Sequence, residues 1–124
     1  MIDLHCHILP GIDDGAVDMQ TSIEMARIAA EDGIKTIVAT PHIKDTLHNK
    51  VKLLDLVTQL NFQLKSQNIP VNILLGGDVF ALNNLSLIKD YTINNSRYIL
   101  IEFPHNYMPG NSKEILFSLA MQQC

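Results

Sequence analysis

The sequence predicts an α/β fold in which parallel strands alternate with helices. Four apolar, β-branched segments are each followed by a segment with helical periodicity, and this order is typical of a parallel sheet with right-handed crossovers. Polar residues that could bind a metal stand at the end of each of the four strands. Because functional sites of parallel α/β folds lie at the carboxyl ends of the strands, we expect these side chains to meet there.

The composition indicates a single globular domain. At 124 residues, 47% of them hydrophobic, the chain can bury a core. The net charge of −4 is spread along the chain, which argues against a nucleic-acid-binding surface. No apolar segment approaches membrane-spanning length, so we expect a protein that is not membrane-embedded. The two cysteines, Cys6 and Cys124, do not form a disulfide framework and favour a cytoplasmic location.

The first strand, residues 2–7, alternates apolar and polar side chains. His5 and His7 are two residues apart, so both are predicted to project from the same face. Two imidazoles held in this way can bind one metal ion. Cys6 points to the opposite face and is predicted to be a small core residue rather than a nucleophile.

An acidic turn follows this strand. Pro10-Gly11 ends the strand, and Asp13-Asp14-Gly15 places carboxylate oxygens beside the two histidines. An isolated His-x-His sequence is more often a solvated surface feature. The acidic turn and the polar ends of the other strands favour a metal site instead.

The next helix and strand lead to a third histidine. Residues 18–32 are predicted to form a helix that ends at a C-cap formed by Gly33. Residues 34–40 are apolar and β-branched, which is typical of a buried parallel strand. This strand runs into a Thr-Pro-His sequence, and its His42 is a candidate ligand that, taken alone, could equally cap the following helix.

A longer helix is predicted over residues 45–67, and a third strand over residues 71–75. The third strand runs into Gly76-Gly77-Asp78. Asp78 could be a turn former, but its place after a buried strand makes it a candidate ligand. The apolar stripe of the helix is predicted to consist of Leu53, Leu54, Val57, Leu60 and Leu64.

The last third of the chain is predicted to contain a short helix over residues 82–88, a polar turn over residues 94–96 and a fourth strand over residues 98–103. Glu102 closes this apolar strand. Since an unpaired buried carboxylate is costly, Glu102 is the candidate ligand of the fourth strand. Ser112 is predicted to cap a final helix. The apolar positions of that helix are predicted to be Ile115, Leu116 and Leu119.

The remaining histidines are not expected to bind metal. His48 is predicted to lie on the surface, and His105, which follows Pro104, is expected to line the rim of the site. The candidate metal ligands are therefore His5, His7, Asp14, His42, Asp78 and Glu102.

Mixed imidazole and carboxylate ligands suit Mn²⁺, Fe, Zn²⁺ or Mg²⁺, and favour a multinuclear site over a single ion. Two ions about 3.5–4 Å apart can activate a water and stabilise the attacking and leaving oxygens of a displacement at phosphorus. Phosphoester hydrolysis is therefore the leading reaction class, with other metal-assisted hydrolyses left open. The chain contains no Cys-x5-Arg loop, which excludes a cysteine-dependent phosphatase.

Three segments carry a family resemblance: residues 1–15, the Ala-Thr-Pro-His sequence that ends at His42, and the Ile-Glu-Phe-Pro sequence around Glu102. They resemble the bacterial manganese-dependent protein-tyrosine phosphatases of capsular and exopolysaccharide gene clusters (the CpsB/YwqE type). These enzymes belong to the PHP, or polymerase and histidinol phosphatase, superfamily. The resemblance covers essentially the whole chain.

The resemblance implies a distorted, TIM-like β/α barrel with a trinuclear Mn²⁺ site. By position, His5 and His7 correspond to ligands of one ion, Glu102 bridges it to a second, and Asp14 and His42 bind the third. The implied substrate is phosphotyrosine on the tail of a polysaccharide co-polymerase kinase, whose dephosphorylation regulates capsule assembly.

The sequence departs from the family pattern in two respects. Gly76-Gly-Asp-Val-Phe80 stands where the family has Gly-x-Glu-Val-Arg, so the phosphate-binding arginine is absent. A complete family member is also about twice as long, in keeping with the usual size of a β/α barrel. We therefore expect residues 1–124 to form a single truncated PHP domain, the N-terminal half of the barrel, with an open sheet edge that a homo-oligomer covers.

The alternatives to a tyrosine phosphatase are another PHP enzyme, such as a histidinol-phosphate phosphatase, or a non-catalytic remnant that retains metal or partner binding. A purely structural fragment is a third alternative. The sequence does not identify a catalytic side chain, because the implied nucleophile is a metal-activated water.

Overall fold

Six parallel strands and three α-helices form the part of the chain that the computed structural model describes, residues 1–43, 49–82 and 89–121. A 3-10 turn at Ile93–Asn95 precedes the last strand. The elements, in chain order, are β1 (Ile2–Cys6), α1 (Met19–Glu31), β2 (Thr36–Ala39), β3 (His42–Ile43), α2 (Lys50–Ser66), β4 (Asn72–Leu75), β5 (Asp78–Phe80), β6 (Leu100–Glu102) and α3 (Ser112–Met121).

The strands form two three-stranded sheets, with the orders β1-β2-β4 and β3-β5-β6. Every pairing in both sheets is parallel. The predicted α/β fold with parallel strands and intervening helices is therefore confirmed. The sheets and helices bury a shared apolar core, and its fully buried large aliphatic side chains are Ile8, Leu9, Ile37, Val38, Leu53, Leu60, Leu64, Ile73 and Val79.

The sequence predicted four strands, and two of them are followed, after a break, by a further short strand. The first break lies at residues 40–41, between β2 and β3, and the second at residues 76–77, between β4 and β5. The register pairs Thr36 with Asn72 and His42 with Asp78, so the two segments keep one constant offset across the break. Each segment thus extends beyond the predicted strand and contributes to both sheets.

The residues at the breaks suit close packing or lack a donor. A Cβ atom on Gly76 would lie 2.9 Å from Val38 Cγ1, and one on Gly77 would lie 2.9 Å from Ile43 Cγ1. Pro41, at the other break, has no N–H to donate to the ladder. The strand boundaries therefore differ from the prediction, since His42 and Asp78 begin new short strands rather than following the ends of old ones.

The ends of α1 agree with the prediction. Asp18 caps the helix by accepting a hydrogen bond from the Thr21 N–H at 2.8 Å. At the other end, Gly33 adopts a φ of +85°, and the Ile34 N–H donates to the Ala29 carbonyl at 3.0 Å. This is the glycine-terminated capping arrangement expected there, although Asp32 occupies the C-cap position itself.

Helix α2 begins later than predicted. Asn49 accepts a hydrogen bond from the Val51 N–H at 2.8 Å, so the first helical residue is Lys50. The predicted residues 45–48 lie outside the described part, as does the surface prediction for His48. Four of the five residues of the predicted stripe are buried; the prediction for Leu54 is wrong, because that side chain borders an open pocket beside β4 and is 44% exposed.

The last third of the chain matches the prediction in part. The predicted turn is the 3-10 turn, where Asn94 and Asn95 both have positive φ. Ser112 begins α3, but its hydroxyl donates to the Pro109 carbonyl, so the predicted capping role is wrong. Leu116 is exposed because α3 turns it outward, whereas its predicted partners Ile115 and Leu119 are buried. Of the predicted helix over residues 82–88, all but the first residue lies outside the described residues. Cys124 also lies outside them.

Cys6 packs against the core as a half-buried side chain. Burial, with the charges of Asp3 and Asp13, raises the pKa of its thiol to about 11. The side chain is therefore a protonated thiol at neutral pH. In the described residues, no helix has the length and apolar character needed to cross a membrane.

The packing of α2 gives a matched test of the core. Leu53 is wholly buried and its neighbour Leu54 is 44% exposed. We expect Leu53→Ala to lower the free energy of unfolding by about 2–5 kcal/mol, because it removes buried methyl groups and leaves a cavity. Leu54→Ala should change it by less than about 0.5 kcal/mol. Urea unfolding of both variants checks this; equal losses would contradict the assigned helix face.

Candidate metal centre

Four chain segments place imidazoles and carboxylates around one open cavity. β1 carries His5 and leads directly to His7, β3 begins with His42, β5 begins with Asp78, and β6 ends with Glu102. The acidic turn after β1 adds Asp14. All six predicted ligands line this cavity together, with Leu100, Ile101 and His105 completing its wall.

The strand that carries the first two histidines is irregular. Asp3 pairs with Ile37, but Cys6 pairs with Ala39, so β1 holds one more residue than β2 over this interval. A bulge of this kind bends a strand and re-aims its side chains. As predicted, His5 and His7 face the same side, and their Nε2 atoms lie 3.2 Å apart.

The donor atoms fall into three groups, in each of which one atom per residue lies within 4.8 Å of the others. Any two groups share one residue: His7, His42 or Asp78. None of these groups, which were found among the described residues, includes a cysteine. The groups are His5 with His7 and Asp78, His42 with Asp78 and Glu102, and His7 with Asp13, Asp14 and His42.

Asp78 lies at the centre of the cluster. Its side chain is only 3% exposed, and its Oδ2 lies 3.5 Å from His5 Nε2 and 3.8 Å from His7 Nε2. The same oxygen lies 3.3 Å from His42 Nδ1. Asp78 is therefore the carboxylate that belongs to two groups. Glu102 belongs to one of the three groups, and that group contains neither His5 nor His7.

His42 presents its two ring nitrogens to different acids. Its Nε2 lies 3.2 Å from Asp14 Oδ1, and its Nδ1 lies 3.1 Å from Glu102 Oε2. The His42 and His7 rings are stacked at a tilt, with centroids 4.4 Å apart. His42 therefore connects the acidic turn to the carboxylates of β5 and β6.

The two strand carboxylates share a hydrogen bond and repel each other when both are charged. Burial raises the pKa of Asp78, and the hydrogen bond and charge of Glu102 raise it further. For Glu102, burial also raises the pKa, but the hydrogen bond from Asp78 and the charges of His42 and His105 outweigh it and leave the pKa below its usual value. Asp78 is therefore protonated more readily than Glu102.

Asp13 is a site residue that the ligand prediction missed. Its Oδ2 lies 2.9 Å from His7 Nδ1 and accepts a hydrogen bond from the His42 backbone N–H at 3.0 Å. Burial raises the pKa of Asp13, but hydrogen bonds from His7, Gly15 and His42 outweigh it and hold the pKa below its usual value. The Asp-Asp-Gly sequence marked the turn, yet spacing alone could not indicate which aspartate faces inward.

Gly15 lets the acidic turn close on the first strand. A Cβ atom at Gly15 would clash with the backbone and side chain of His7. The Ala16 N–H donates to the His7 carbonyl at 3.0 Å, which fixes the turn against the strand end. The turn therefore holds its two carboxylates beside the imidazoles.

His105 lies where the sequence predicted it, at the rim of the cavity. Its Nε2 is 3.0 Å from Glu102 Oε1, and the side chain is largely exposed. It belongs to none of the three groups found among the described residues. The geometry thus gathers every predicted ligand and adds Asp13 beside them.

The sequence of this chain is similar to those of a known protein family. The family model described as capsular polysaccharide synthesis, CpsB/CapC, matches residues 1–122. The tyrosine-protein phosphatase YwqE of Bacillus subtilis is 38% identical over 98% of this chain and 50% of its own length. The tyrosine-protein phosphatase CpsB of Streptococcus pneumoniae is 30% identical over 83% of this chain and 45% of its own length.

A solved structure gives the same result. This structure comes from a study of YwqE from Bacillus subtilis and CpsB from Streptococcus pneumoniae, which are described there as metal-dependent tyrosine phosphatases. It superposes on this chain with a TM-score of 0.90, at 38% sequence identity. The match covers 98% of this chain and 52% of that one. The chain therefore spans about half the length of the relatives it matches. Because the family model matches residues 1–122, the chain belongs to the CpsB/CapC family of capsular polysaccharide synthesis proteins.

Proposed function

We propose that this chain is the N-terminal half of a metal-dependent phosphoester hydrolase that acts as a protein-tyrosine phosphatase. The observation that carries the proposal is the set of three linked donor groups, built from four strand segments and the acidic turn of a CpsB/CapC family member. The named relatives are tyrosine-protein phosphatases, which supports phosphotyrosine as the substrate class.

The donor set fits divalent metal ions. Imidazole nitrogens and carboxylate oxygens bind Mn²⁺, Fe²⁺, Zn²⁺ and Mg²⁺, and we propose Mn²⁺ in a multinuclear site. The burial of Asp78 beside Glu102 supports this fit, because bound positive charge would relieve the repulsion between two carboxylates held this close.

The distances support a division of the ligands among three ions. His5 and His7 would hold the first, and His42 Nε2 with Asp14 would hold the third. The resemblance gave the bridging position to Glu102, whereas the distances favour Asp78 as the bridge, with Glu102 as a ligand of the second ion.

When bound, the ions would supply a nucleophile from water at neutral pH and stabilise charge on the phosphoryl oxygens. The contribution of the chain is to hold the donors in place around a cavity open to a protein-borne phosphate. His105 holds one oxygen of Glu102 at the rim, which leaves the other oxygen facing His42 and Asp78. Asp14, whose side chain is 78% exposed, lies on the solvent side of the site.

We further propose that the strands form half of a distorted, TIM-like barrel. The constant offset between the two interrupted segments and the parallel order of both sheets support a curved continuous wall. The natural substrate would be phosphotyrosine on the tail of a polysaccharide co-polymerase kinase, in the cytoplasm, and its dephosphorylation would regulate capsule or exopolysaccharide assembly.

A non-catalytic role in metal or partner binding is the second candidate. The observation that favours it is that the chain spans about half the length of its relatives. The Mn²⁺ site is common to both candidates, whereas turnover is expected only of the first.

Metal binding can be tested by calorimetric titration with Mn²⁺. We expect Asp78→Ala to weaken binding by more than about tenfold, since residues that merely orient a ligand already contribute roughly 10- to 100-fold. Asp55→Ala is the matched control, because Asp55 is an exposed acid on α2 whose side chain accepts a hydrogen bond from Gln59 and lies outside the three donor groups found among the described residues. Equal affinities for the two variants would contradict the proposed site.

Turnover can be tested with a phosphotyrosine peptide and added Mn²⁺. We expect the unaltered chain and Asp55→Ala to release phosphate at the same rate, and His5→Ala to lose activity because one ligand of the first ion is gone. Chelation of the metal should abolish the activity of the unaltered chain and of Asp55→Ala. If Mn²⁺ binds but no phosphate is released, the phosphatase proposal fails and the non-catalytic role stands.

The outer strands give a test of self-association. β1 and β6 stand at the ends of their sheets, and β1 exposes Ile2 and Leu4. We propose that a homo-oligomer covers these edges, so light scattering should give a mass above that of one chain. Ile2→Lys should shift the mass towards the monomer, and Val51→Lys, at an exposed position of α2, should not. A monomeric unaltered chain at the working concentration would contradict the proposal.

A further inference from the structure

The acidic turn contains a carboxylate that is buried beneath the cavity rather than exposed to it. The side chain of Asp13 is 7% exposed, whereas that of its neighbour Asp14 is 78% exposed. Burial of a carboxylate is costly unless hydrogen bonds compensate it, so the donors around Asp13 indicate its role.

Three donors from three parts of the site converge on Asp13. Its Oδ2 lies 2.9 Å from His7 Nδ1 and accepts from the His42 backbone N–H at 3.0 Å. Its Oδ1 accepts from the Gly15 N–H at 3.0 Å. One side chain thus connects the end of β1, the turn and the start of β3.

We propose that Asp13 is a positioning residue that keeps the hydrogen of His7 on Nδ1 and the lone pair of Nε2 directed into the metal cluster. An ionised carboxylate can only accept hydrogen bonds, so His7 Nδ1 must be the donor. In a neutral imidazole, Nε2 then carries the free lone pair. This is the nitrogen that lies 3.2 Å from His5 Nε2 and 3.8 Å from Asp78 Oδ2. The inference rests on the proposed metal site.

The same contacts distinguish Asp13 from a ligand. Both of its oxygens already accept hydrogen bonds from the chain, and it lies on the far side of the His7 ring from Asp78. Asp14 contacts His42 Nε2 from the exposed side of the turn. Carboxylates that hold the second nitrogen of a metal-binding histidine fix its tautomer and orientation, and their loss typically lowers metal affinity by roughly 10- to 100-fold.

Asp13 also connects two of the histidines. Its Oδ2 holds the His7 ring and the His42 backbone N–H, and the two rings lie at a centroid distance of 4.4 Å. Removal of the side chain would remove both contacts at once. An amide in place of the carboxylate could still accept these two hydrogen bonds with its single oxygen, but its N–H₂ group would then face the Gly15 N–H, so that this hydrogen bond is replaced by repulsion between two donors.

The experiment reads the His7 tautomer directly. Long-range ¹H–¹⁵N NMR spectra of the metal-free chain, at a pH where the imidazoles are neutral, should show the His7 hydrogen on Nδ1. In Asp13→Ala we expect a population with the hydrogen on Nε2, and Asp13→Asn should restore the Nδ1–H form. Asp3→Ala is the control, because Asp3 accepts a hydrogen bond from the His5 backbone N–H and belongs to none of the three donor groups found among the described residues.

Mn²⁺ titration of the same proteins gives the second measurement. Asp13→Ala should bind roughly 10- to 100-fold more weakly than the unaltered chain, with Asp13→Asn between them and Asp3→Ala close to the unaltered chain. If Asp13 were a ligand, Asp13→Asn would lose affinity as Asp13→Ala does, while the His7 tautomer would stay the same in every variant.

An Nε2–H form of His7 in the unaltered chain would overturn the inference without any variant, so the test does not depend on the folding of Asp13→Ala. Failure of the unaltered chain to bind Mn²⁺ would instead overturn the proposed metal site. The tautomer spectra would still decide the role of Asp13 in that case.

Discussion

The structure depends on the burial of one carboxylate. Asp78 is 3% exposed, and the three imidazoles around it favour its charged form, whereas the neighbouring carboxyl group of Glu102 and burial raise its pKa. These partners come from β1 and the residue that follows it, from β3 and from β6, which are distant in sequence and must all arrive at one point. The site therefore forms only where these strands meet.

The strand breaks make this convergence sterically feasible. The residues between β4 and β5 are glycines because Val38 and Ile43 leave no room for a Cβ atom at Gly76 or Gly77. Immediately beyond the break, Asp78 pairs with His42, so the break brings an acid and an imidazole side by side in adjacent strands.

The alternation of parallel strands and helices and the placement of all six candidates around one cavity could be predicted from the sequence, because both depend on residue types at or near the ends of apolar segments. What could not be predicted depends on contacts between distant residues. The close approach of Gly77 to Ile43 and the exposure of Leu54 beside β4 are both of this kind. The bulge in β1 likewise appears only once β2 lies beside it. The metal roles of the six candidates remain predictions.

The two aspartates of the acidic turn show the limit most clearly. They are identical and adjacent, yet one is buried under His7 and the other faces solvent beside His42. The turn geometry assigns them, because the close approach of Gly15 to His7 forces Asp13 inward. As a result His7 directs one nitrogen to the chain and one to the cavity. The hydrogen bond to its Nδ1 comes from Asp13, whose other donors are Gly15 and His42, so these contacts all lie within the part of the chain that the structure describes.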